Sequence, residues 1–408
     1  MIDSSWHGPR EGNGAAVRRR VLQIGKFYPP HMGGIETHLR SLCLELQGSV
    51  DVQAIVANTS SDLLEERVDG IRVTRLGTSL HFSAAPICTG LVSRLRQTPA
   101  DVVHIHLPNP WAVLAFLASG HPGRLVVSYH SDVVRQRIME PLFRPFLLRF
   151  LERADSIIVA TSKHIDSSPI LRRYRDRCAV IPYGVPVAAD DEADSQEVKR
   201  IRDRFGDRLV LAVGRLVYYK GFEYLIRAMR EVRAQLVLIG EGPMRAELER
   251  EVRASGVDDR VTFLGNVKET TPYYQAADVF VLPSVARSEA FGIVQLEAMA
   301  CSTPVVNTRL DSGAPFVSLH NVSGLTVPPA DSGALGRAIT RVLDDCDLRA
   351  ELGRAARRRV EEEFSQEVMG RRVLELYAGI LGKPRGEPTV ARGRRRARAR
   401  PGLPARVS

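Results

Sequence analysis

Short apolar runs alternate along this chain with longer amphipathic stretches. Such runs are typical of strands that are buried on both faces of a sheet, and the stretches between them are typical of helices. One series of predicted strands lies at residues 21–25, 50–57, 71–76, 102–106, 125–129, 156–160 and 179–182. A second series lies at residues 209–214, 236–239, 261–264, 279–282, 304–306 and 325–327. Strands that alternate with helices predict an α/β fold with mostly parallel, doubly wound sheets, which bind ligands at the carboxyl ends of their strands.

A polar stretch at 188–198 separates the two series and predicts a linker. At 408 residues the chain is too long for one ordinary core, so two domains are expected. We predict Rossmann-like domains at 21–187 and 199–365 that face each other across a cleft, where small ligands bind. The remaining predicted segments are a disordered N-terminal extension at 1–20, a C-terminal helix at 366–382 and a disordered basic tail at 383–408.

The net charge of +10 comes from the two ends of the chain. Residues 383–408 hold nine basic residues and one acidic residue, and residues 1–20 hold four basic and two acidic residues, which leaves 21–382 neutral. A neutral body argues against a nucleic-acid-binding fold. Two interpretations of the tail stay open, attachment to anionic lipid or no binding role.

Nothing in the sequence predicts passage through a membrane. No apolar run approaches the roughly 20 residues that span a bilayer, and the first residues lack the basic-then-apolar order of a secretory signal. Five scattered cysteines indicate reduced thiols, so we expect a cytoplasmic protein. Residues 135–153 mix arginines with leucines and phenylalanines. They predict either a basic helix resting on the inner face of the membrane or an ordinary helix packed on its sheet.

Candidate chemistry is densest after the predicted strand that ends at residue 282. Glu289 lies there just before a predicted helix. The backbone N–H groups of Phe291, Gly292 and Ile293 at the start of this helix lack internal partners, and the positive end of the helix dipole suits a phosphate. Glu297 follows roughly 12 Å further along if the rise is helical. The segment therefore predicts a site for an elongated ligand with a sugar, a diphosphate and a ribose, and the alternative is two solvated glutamates.

Two cations lie in the loop that follows the strand at 209–214. Arg215 offers a planar fork of donors and Lys220 a point charge, which together suit a diphosphate. The alternative is a pair of surface cations beside a turn. The loop at 240–243, which contains Glu241, is a weaker candidate of the same kind.

The first domain contributes two further candidates. Gly33 and Gly34 follow its first predicted strand and allow a ligand to approach the backbone closely. His130 lies just past the strand at 125–129, whereas His104 and His106 fall within a strand and are interpreted as packing residues.

Several common sites are absent from the sequence. There is neither a G-x-G-x-x-G fingerprint in a suitable place nor a G-x-x-x-x-G-K-[ST] loop, which removes support for nicotinamide and P-loop nucleotides. The string Asp345-Cys346-Asp347 joins two predicted helices, and no cysteine or histidine cluster has zinc spacing. We therefore predict no metal site and no cofactor.

Seven of these residues together resemble the motifs of the family-4 retaining glycosyltransferases of GT-B fold: Gly33, Gly34, His130, Arg215, Lys220, Glu289 and Glu297. The likeness runs from about residue 21 to residue 381. Shorter strings at 215–221, 287–293 and 316–320 are similar to bacterial α-mannosyltransferases that extend lipid-linked O-antigen or exopolysaccharide units.

The resemblance implies roles on the donor side of the reaction. It implies a nucleotide-sugar donor, with GDP-mannose favoured, whose diphosphate is held by Arg215 and Lys220 with help from the amides at 291–293. It also implies that Glu289 contacts sugar hydroxyls, that Glu297 contacts the ribose, and that no metal is needed. The loop containing Glu241 would lie near the same ligand.

Further roles concern the first domain and the acceptor. The resemblance implies that Gly33 and Gly34 approach the diphosphate from the opposite side, that His130 contacts the sugar near the reacting carbon, and that the last helix crosses back onto the first domain. The acceptor would be a glycan or a polyprenyl-diphosphate-linked glycan. Two alternatives stay open, a nucleotide-sugar epimerase of the same shape and a noncatalytic protein that uses its tail on membrane or nucleic acid.

Overall fold

The computed structural model describes residues 18–31, 33–82, 85–131, 140–187 and 195–384. Most of the predicted N-terminal extension and linker, and the tail from residue 385, lie outside the described residues. So does the first part of the predicted basic helix, up to residue 139.

The first half of the described chain forms an eight-stranded sheet and a small hairpin. Its strands are β1 (Arg20–Ile24), β2 (Asp51–Ala57), β3 (Leu64–Val68), β4 (Ile71–Leu76), β5 (Leu80–Phe82), β6 (Ala85–Ile87), β7 (Val102–Leu107), β8 (Arg124–Tyr129), β9 (Ser156–Val159) and β10 (Cys178–Val180). The sheet has the order β10-β9-β8-β7-β1-β2-β4-β3, and β5 pairs with β6. Neighbours in the eight-stranded sheet are parallel except β3 and β4, and the β5–β6 hairpin is antiparallel. Strand β3 was not predicted because it is an exposed edge strand with a polar sequence.

The second half forms a six-stranded parallel sheet. Its strands are β11 (Leu209–Val213), β12 (Gln235–Ile239), β13 (Val261–Gly265), β14 (Val279–Leu282), β15 (Val305–Thr308) and β16 (Gly324–Val327). They have the order β13-β12-β11-β14-β15-β16, so the chain winds outward on one side of β11 and then returns to build the other side. Two doubly wound parallel sheets confirm the predicted fold class.

Helices cover both faces of each sheet. They are α1 (Gly34–Leu46), α2 (Leu91–Gln97), α3 (Pro110–Ser119), α4 (Glu140–Arg153), α5 (Ser162–Ser167), α6 (Pro169–Arg173), α7 (Ser195–Phe205), α8 (Phe222–Ala228), α9 (Arg245–Ser255), α10 (Thr271–Ala276), α11 (Ile293–Ala300), α12 (Ala314–Val317), α13 (Ser332–Asp344), α14 (Cys346–Arg359) and α15 (Gln366–Leu381). A π-helical turn at Val360–Phe364 continues α14, so the hydrogen-bond pattern of this long helical segment changes near its end.

Asp345 shows why the Asp345-Cys346-Asp347 string belongs to the fold. Its side chain accepts a hydrogen bond from the backbone N–H of Leu348 at 2.9 Å and so caps α14. The string lies at the junction of α13 and α14, as the sequence indicated.

The last helix, α15, packs on the first sheet. Val373 and Tyr377 lie in the same apolar layer as Val21 and Leu39, and Gln366 donates a hydrogen bond to the Ser41 hydroxyl at 2.8 Å. The chain therefore returns to the first domain after building the second, which confirms the crossing helix of the predicted GT-B fold.

The two segments that pass between the domains are paired with each other. The backbone N–H of Val185 donates to the carbonyl of Phe364 at 2.9 Å, and the N–H of Gln366 donates to the carbonyl of Val185 at 3.1 Å. Beside this pairing, the ring of Tyr183 packs edge-on against Phe291 of the second domain, with centroids 5.0 Å apart. The cleft lies between sheets that are joined at this point.

Candidate active site

The second sheet reverses its winding between β11 and β14, which are hydrogen-bonded neighbours. Loops that follow the strands at such a point diverge and leave a crevice for ligands. Lys220 comes from the loop after β11 and Glu289 from the loop after β14. The Nζ of Lys220 lies 2.6 Å from Oε2 of Glu289, and both side chains are buried. The two candidates that the sequence placed in separate loops thus form one ion pair.

Ser284 completes this ion pair and was missed by the sequence analysis. Its hydroxyl donates a hydrogen bond to the same Oε2 of Glu289 at 2.8 Å, and its carbonyl accepts one from the hydroxyl of Thr308. Ser284 is fully buried directly after β14. A serine two residues past a buried strand is a weak signal, because small residues are common at such turns.

Arg215 has a different environment from Lys220. It is exposed, and none of the residues that the structure describes forms an ion pair with it. The neighbouring Leu216 donates its backbone N–H to the carbonyl of Glu241 at 2.9 Å, which brings the loop at 240–243 alongside. Only a glycine fits at Gly240, since a Cβ there would lie 2.1 Å from the carbonyl oxygen of Gly214. Arg215 is therefore a cation without an ionic partner in the described chain. Its loop packs closely against the loop at 240–243.

The side chain of Glu241 points to a local partner. Its carboxylate lies 3.6 Å from the guanidinium of Arg245, four residues further along the chain, and the side chain of Glu241 is half exposed. The ring of Phe263 supports that arginine, which lies over it at 4.5 Å. Glu241 thus reaches the site through its backbone, while its carboxylate forms an exposed pair.

The helix predicted to begin at Phe291 begins instead at Ile293. Gly292 precedes it in a left-handed conformation (φ 72°), which cannot continue a helix and favours glycine. Phe291 is therefore outside the helix, and its buried ring contacts Tyr183. No acceptor within the described chain takes the backbone N–H groups of Phe291, Gly292 or Ile293, so these amides are available to an anion.

Glu297 lies in the middle of α11 and has its own partner. The hydroxyl of Tyr274 donates to Oε2 of Glu297 at 2.7 Å. Burial raises the pKa of Glu297, and this hydrogen bond partly opposes the rise. Glu289 and Glu297 thus occupy separate environments, one paired with a cation and the other with a phenol.

Gly33 and Gly34 lie at the start of α1, across the cleft from the second sheet. Gly33 precedes the helix in an extended conformation, and the space around the Cα of Gly34 is open. Arg75, which the sequence analysis missed, supports the loop before them. This buried arginine donates to the carbonyl of Tyr28 at 3.0 Å and to that of Pro29.

His130 follows β8 and is buried, with a fractional exposure of 8%. Its Nδ1 lies 2.8 Å from the hydroxyl of Tyr183, and its Nε2 lies 3.0 Å from Nδ1 of His106. Both ring nitrogens therefore have partners. Burial lowers the pKa of His130 well below its usual value, so the ring is neutral.

The interpretation of His104 and His106 as packing residues was incomplete. Both are buried, but each also uses both ring nitrogens in hydrogen bonds. His38, His106 and His130 bring ring nitrogens within 4.8 Å of one another, a grouping that sequence spacing did not reveal. The nitrogens of His106 and His130 that face each other already share a hydrogen bond, and Nδ1 of His38 is buried without a partner in the described chain.

Known proteins match this chain along most of its length. Residues 32–189 match the family described as Glycosyltransferase Family 4, and residues 194–359 match Glycosyl transferases group 1. O-antigen chain mannosyltransferase C of Escherichia coli is 33% identical over 371 residues, which cover 89% of this chain and 99% of the relative. The chain belongs to glycosyltransferase family 4. This membership decides against the epimerase and against a noncatalytic protein.

Two further glycosyltransferase comparisons bear on substrate and fold. D-rhamnosyltransferase WbpZ of Pseudomonas aeruginosa is 34% identical over 353 residues, which cover 85% of this chain and 92% of that one. The solved structure of sucrose-phosphate synthase from Thermosynechococcus elongatus superposes with a TM-score of 0.71 at 26% identity, over 90% of this chain and all of the other. The GT-B fold of this glycosyltransferase is thus shared with a solved enzyme along nearly its full length.

A glycosyltransferase must stabilise the group that leaves the sugar. Counting partners among the described residues alone, the switch point of the second sheet presents one free cation, one buried cation and three backbone N–H groups without acceptors. Preorganised donors of this kind stabilise a developing anion without reorganising during the reaction.

Proposed function

We propose that this enzyme is a retaining, metal-independent hexosyltransferase that moves mannose from GDP-mannose to a glycan acceptor, lipid-linked, in the synthesis of a bacterial surface polysaccharide. The observation that carries the proposal is the meeting of Lys220 and Glu289 at the switch point, with the exposed Arg215 in the same loop as Lys220.

The diphosphate part of the proposal follows from charge. A departing nucleoside diphosphate accumulates negative charge on its β-phosphate as the bond to the sugar breaks. Arg215 offers five N–H donors in a fixed fork, Lys220 a charge in a buried setting, and the amides at 291–293 the positive end of α11. In a cleft closed to water these groups stabilise the negative charge that a metal ion stabilises in other transferases.

The sugar part follows from Glu289 and from the relatives. Lys220 and Ser284 both contact Oε2 of Glu289. Under this proposal the other carboxylate oxygen accepts hydrogen bonds from sugar hydroxyls. A mannosyltransferase and a D-rhamnosyltransferase match nearly the whole chain. Mannose is therefore the first donor sugar to test, and rhamnose, which lacks one hydroxyl, is its competitor.

The acceptor side concerns the first domain. Helix α4 buries Leu147, Phe150 and Leu151 against its sheet but leaves Leu142 and Phe146 exposed. These two side chains and the neighbouring arginines suit the surface of a membrane that holds a lipid-linked acceptor. No helix within the described ranges is long and apolar enough to cross a membrane. From the exposed side chains of α4 we propose peripheral attachment at the cytoplasmic face.

A donor screen tests this function. The purified full chain is incubated with GDP-mannose, UDP-glucose and the rhamnosyl donor, and thermal stabilisation and transfer to a synthetic lipid-linked glycan are followed. We expect GDP-mannose to give the largest shift and an α-linked product in NMR spectra. A β-linked product would contradict the retaining mechanism. Stabilisation by UDP-glucose alone would contradict GDP-mannose as the donor.

Three pairs of variants keep this test specific. Arg215→Ala, Lys220→Ala and Glu289→Gln should each lower turnover by about a hundredfold or more, as the loss of a transition-state contact does. Their controls are Arg253→Ala, Lys268→Ala and Glu269→Gln, which alter exposed residues of the same domain. Equal turnover in the site variants and the controls would contradict the site assignment.

A further inference from the structure

A continuous chain of buried hydrogen bonds runs from the last helix to the cleft. On α15, the hydroxyl of Tyr377 lies 3.2 Å from Nε2 of Gln23, whose Oε1 lies 3.0 Å from Nε2 of His106. The next links are the 3.0 Å contact from His106 to His130 and the 2.8 Å contact from His130 to Tyr183. On its other side, the Tyr377 hydroxyl lies 2.7 Å from Nδ1 of His104. The chain thus joins residues of α15, β1, β7 and the end of β8.

The orientation of Gln23 gives this chain a direction. Its carbonyl oxygen must receive a proton from His106, so His106 carries its proton on Nε2 and accepts at Nδ1. His130 must then donate from Nε2 and accept the hydroxyl proton of Tyr183 at Nδ1. At the other end, the amide of Gln23 donates to Tyr377.

Reversal of one link requires reversal of all the others. Each imidazole in the chain has one donor and one acceptor nitrogen when it is neutral, and burial keeps His104, His106 and His130 neutral. A flipped Gln23 would present its NH2 group to Nε2 of His106. His106 and His130 would then each carry the ring proton on Nδ1. Tyr377 extends this coupling beyond Gln23, because its single hydroxyl proton goes to His104 while its oxygen accepts from Gln23. A flip of Gln23 therefore also requires the Tyr377 hydroxyl to turn and His104 and Ser128, 2.8 Å apart, to exchange donor and acceptor roles.

We propose that Tyr377 is a positioning residue that fixes, through Gln23 and His106, which ring nitrogen of His130 carries the proton at the cleft. The inference rests on the proposed function for its consequence, because the family resemblance implies that His130 contacts the donor sugar near the reacting carbon. The proton of His130 is then held on Nε2 only when α15 is packed on the first domain. The crossing helix thereby tunes the transfer step, and the donor-binding loops of the second domain are unaffected.

The proton position can be read directly by NMR. The full chain is labelled with ¹⁵N in its histidine rings, and the His130 signals are assigned by their loss in His130→Gln. We expect a single neutral tautomer with the proton on Nε2 in the wild type and a mixture of both tautomers in Tyr377→Phe. The matched control is Tyr174→Phe, which removes a buried hydroxyl that donates to Leu148 in the same domain. A single Nε2–H tautomer in Tyr377→Phe would overturn the inference.

A kinetic measurement separates positioning from mere structural support. Tyr377→Phe should lower kcat for transfer roughly tenfold, because misplacement of a contact group slows the chemical step, while KM for the donor stays unchanged. If Tyr377→Phe fails to fold, Gln23→Met interrupts the same hydrogen-bond chain at its next residue. It should likewise lower kcat, leave KM unchanged and give the mixture of tautomers. A rise in KM with unchanged kcat would overturn the inference. If the tautomers shift as expected and no sugar is transferred by the wild type, the proposed function fails and the assignment of the proton position stands.

Discussion

The ammonium group of Lys220 lies 2.6 Å from a carboxylate oxygen of Glu289, in a buried pair at the switch point of the second sheet. The pair holds a cation at the mouth of the site before any ligand arrives. Because a buried ion pair costs desolvation energy, its contribution to stability is small even though the loss of one partner is expensive. Stability and catalysis can therefore be separated at this pair.

Removal of the cation alone should destabilise the protein. In Lys220→Met the carboxylate of Glu289 is left buried with only Ser284 as a partner, and we expect the free energy of unfolding to fall by about 3 kcal/mol. Adding Glu289→Gln removes the stranded charge and keeps an acceptor for Ser284, so most of that loss should be recovered. Urea unfolding at pH 7 measures both effects.

Turnover should follow a different pattern in the same variants. The double variant lacks the cation and the carboxylate, so we expect it to stay as inactive as either single variant. Lys268→Met with Glu269→Gln, at exposed positions of the same domain, is the matched control. Recovery of turnover together with stability in the site double variant would show that the pair is only structural.

Glu297 should cost stability at neutral pH. Burial raises its pKa above the ordinary value of 4.5, so the folded protein binds this proton more tightly than the unfolded chain does. The free energy of unfolding then falls as the pH rises from about 4.5 through the folded pKa. Glu297→Gln, which still accepts the hydrogen bond of Tyr274, should be more stable than the wild type at pH 7 and equally stable at pH 4.

Glu297→Gln should weaken donor binding although it stabilises the folded protein. If Glu297 contacts the ribose, calorimetry should show weaker binding of GDP in the variant although the variant is more stable. Unchanged affinity for GDP would leave Glu297 as a partner of Tyr274 alone and would contradict its place in the site.

The buried histidines should make the fold sensitive to acid. Burial lowers the pKa of His38 to about 4 and that of His104 to about 3. Below about pH 6.5 the unfolded chain takes up protons that these folded side chains refuse, so stability is lost as the pH falls from 6.5 towards 4.

His38 offers a single-site test of this acid sensitivity. His38→Phe should reduce the slope of unfolding free energy against pH by about 1.4 kcal/mol per pH unit below pH 6. His31→Phe, at an exposed position of the same domain, serves as the control. Parallel slopes in His38→Phe and the wild type would show that His38 does not contribute.

Membrane attachment should separate into two contributions. Removal of residues 385–408 should weaken co-sedimentation with anionic vesicles. It should leave transfer to a soluble acceptor intact, because the last described helix already ends at Leu381. In that shortened chain, Leu142→Ser with Phe146→Ser should abolish the remaining binding, whereas Val322→Ser, on an exposed apolar residue of the second domain, should not. Equal binding by these two shortened variants would contradict a role for α4.

Much of the site could be predicted because strand order in a parallel sheet decides which loops meet. Strands β11 and β14 had clear apolar patterns, and the loops after them had to share one edge of the sheet. The loops that carry Arg215, Lys220 and Glu289 were placed at one edge of the sheet in this way, and the roles of these residues in the reaction stay a prediction. The start of α11 was predicted two residues too early, because the left-handed conformation of Gly292 does not follow from its neighbours in the sequence.

The histidine chain could not be predicted, because it depends on contacts between distant parts of the sequence. Gln23 and Tyr377 meet only after α15 has crossed back to the first sheet, 354 residues further along. His106 faces His130 only because β7 and β8 are parallel neighbours with a fixed register. Periodicity reports that such residues are buried and gives no information on which partner they meet.

A crystal structure of the enzyme with GDP tests the central claim most directly. We predict that the diphosphate lies within hydrogen-bond distance of the Arg215 guanidinium and the Lys220 ammonium, with the backbone N–H groups of Gly292 and Ile293 pointing at it. A diphosphate bound elsewhere in the cleft, with Lys220 still held only by Glu289 and Arg215 in solvent, would contradict the account.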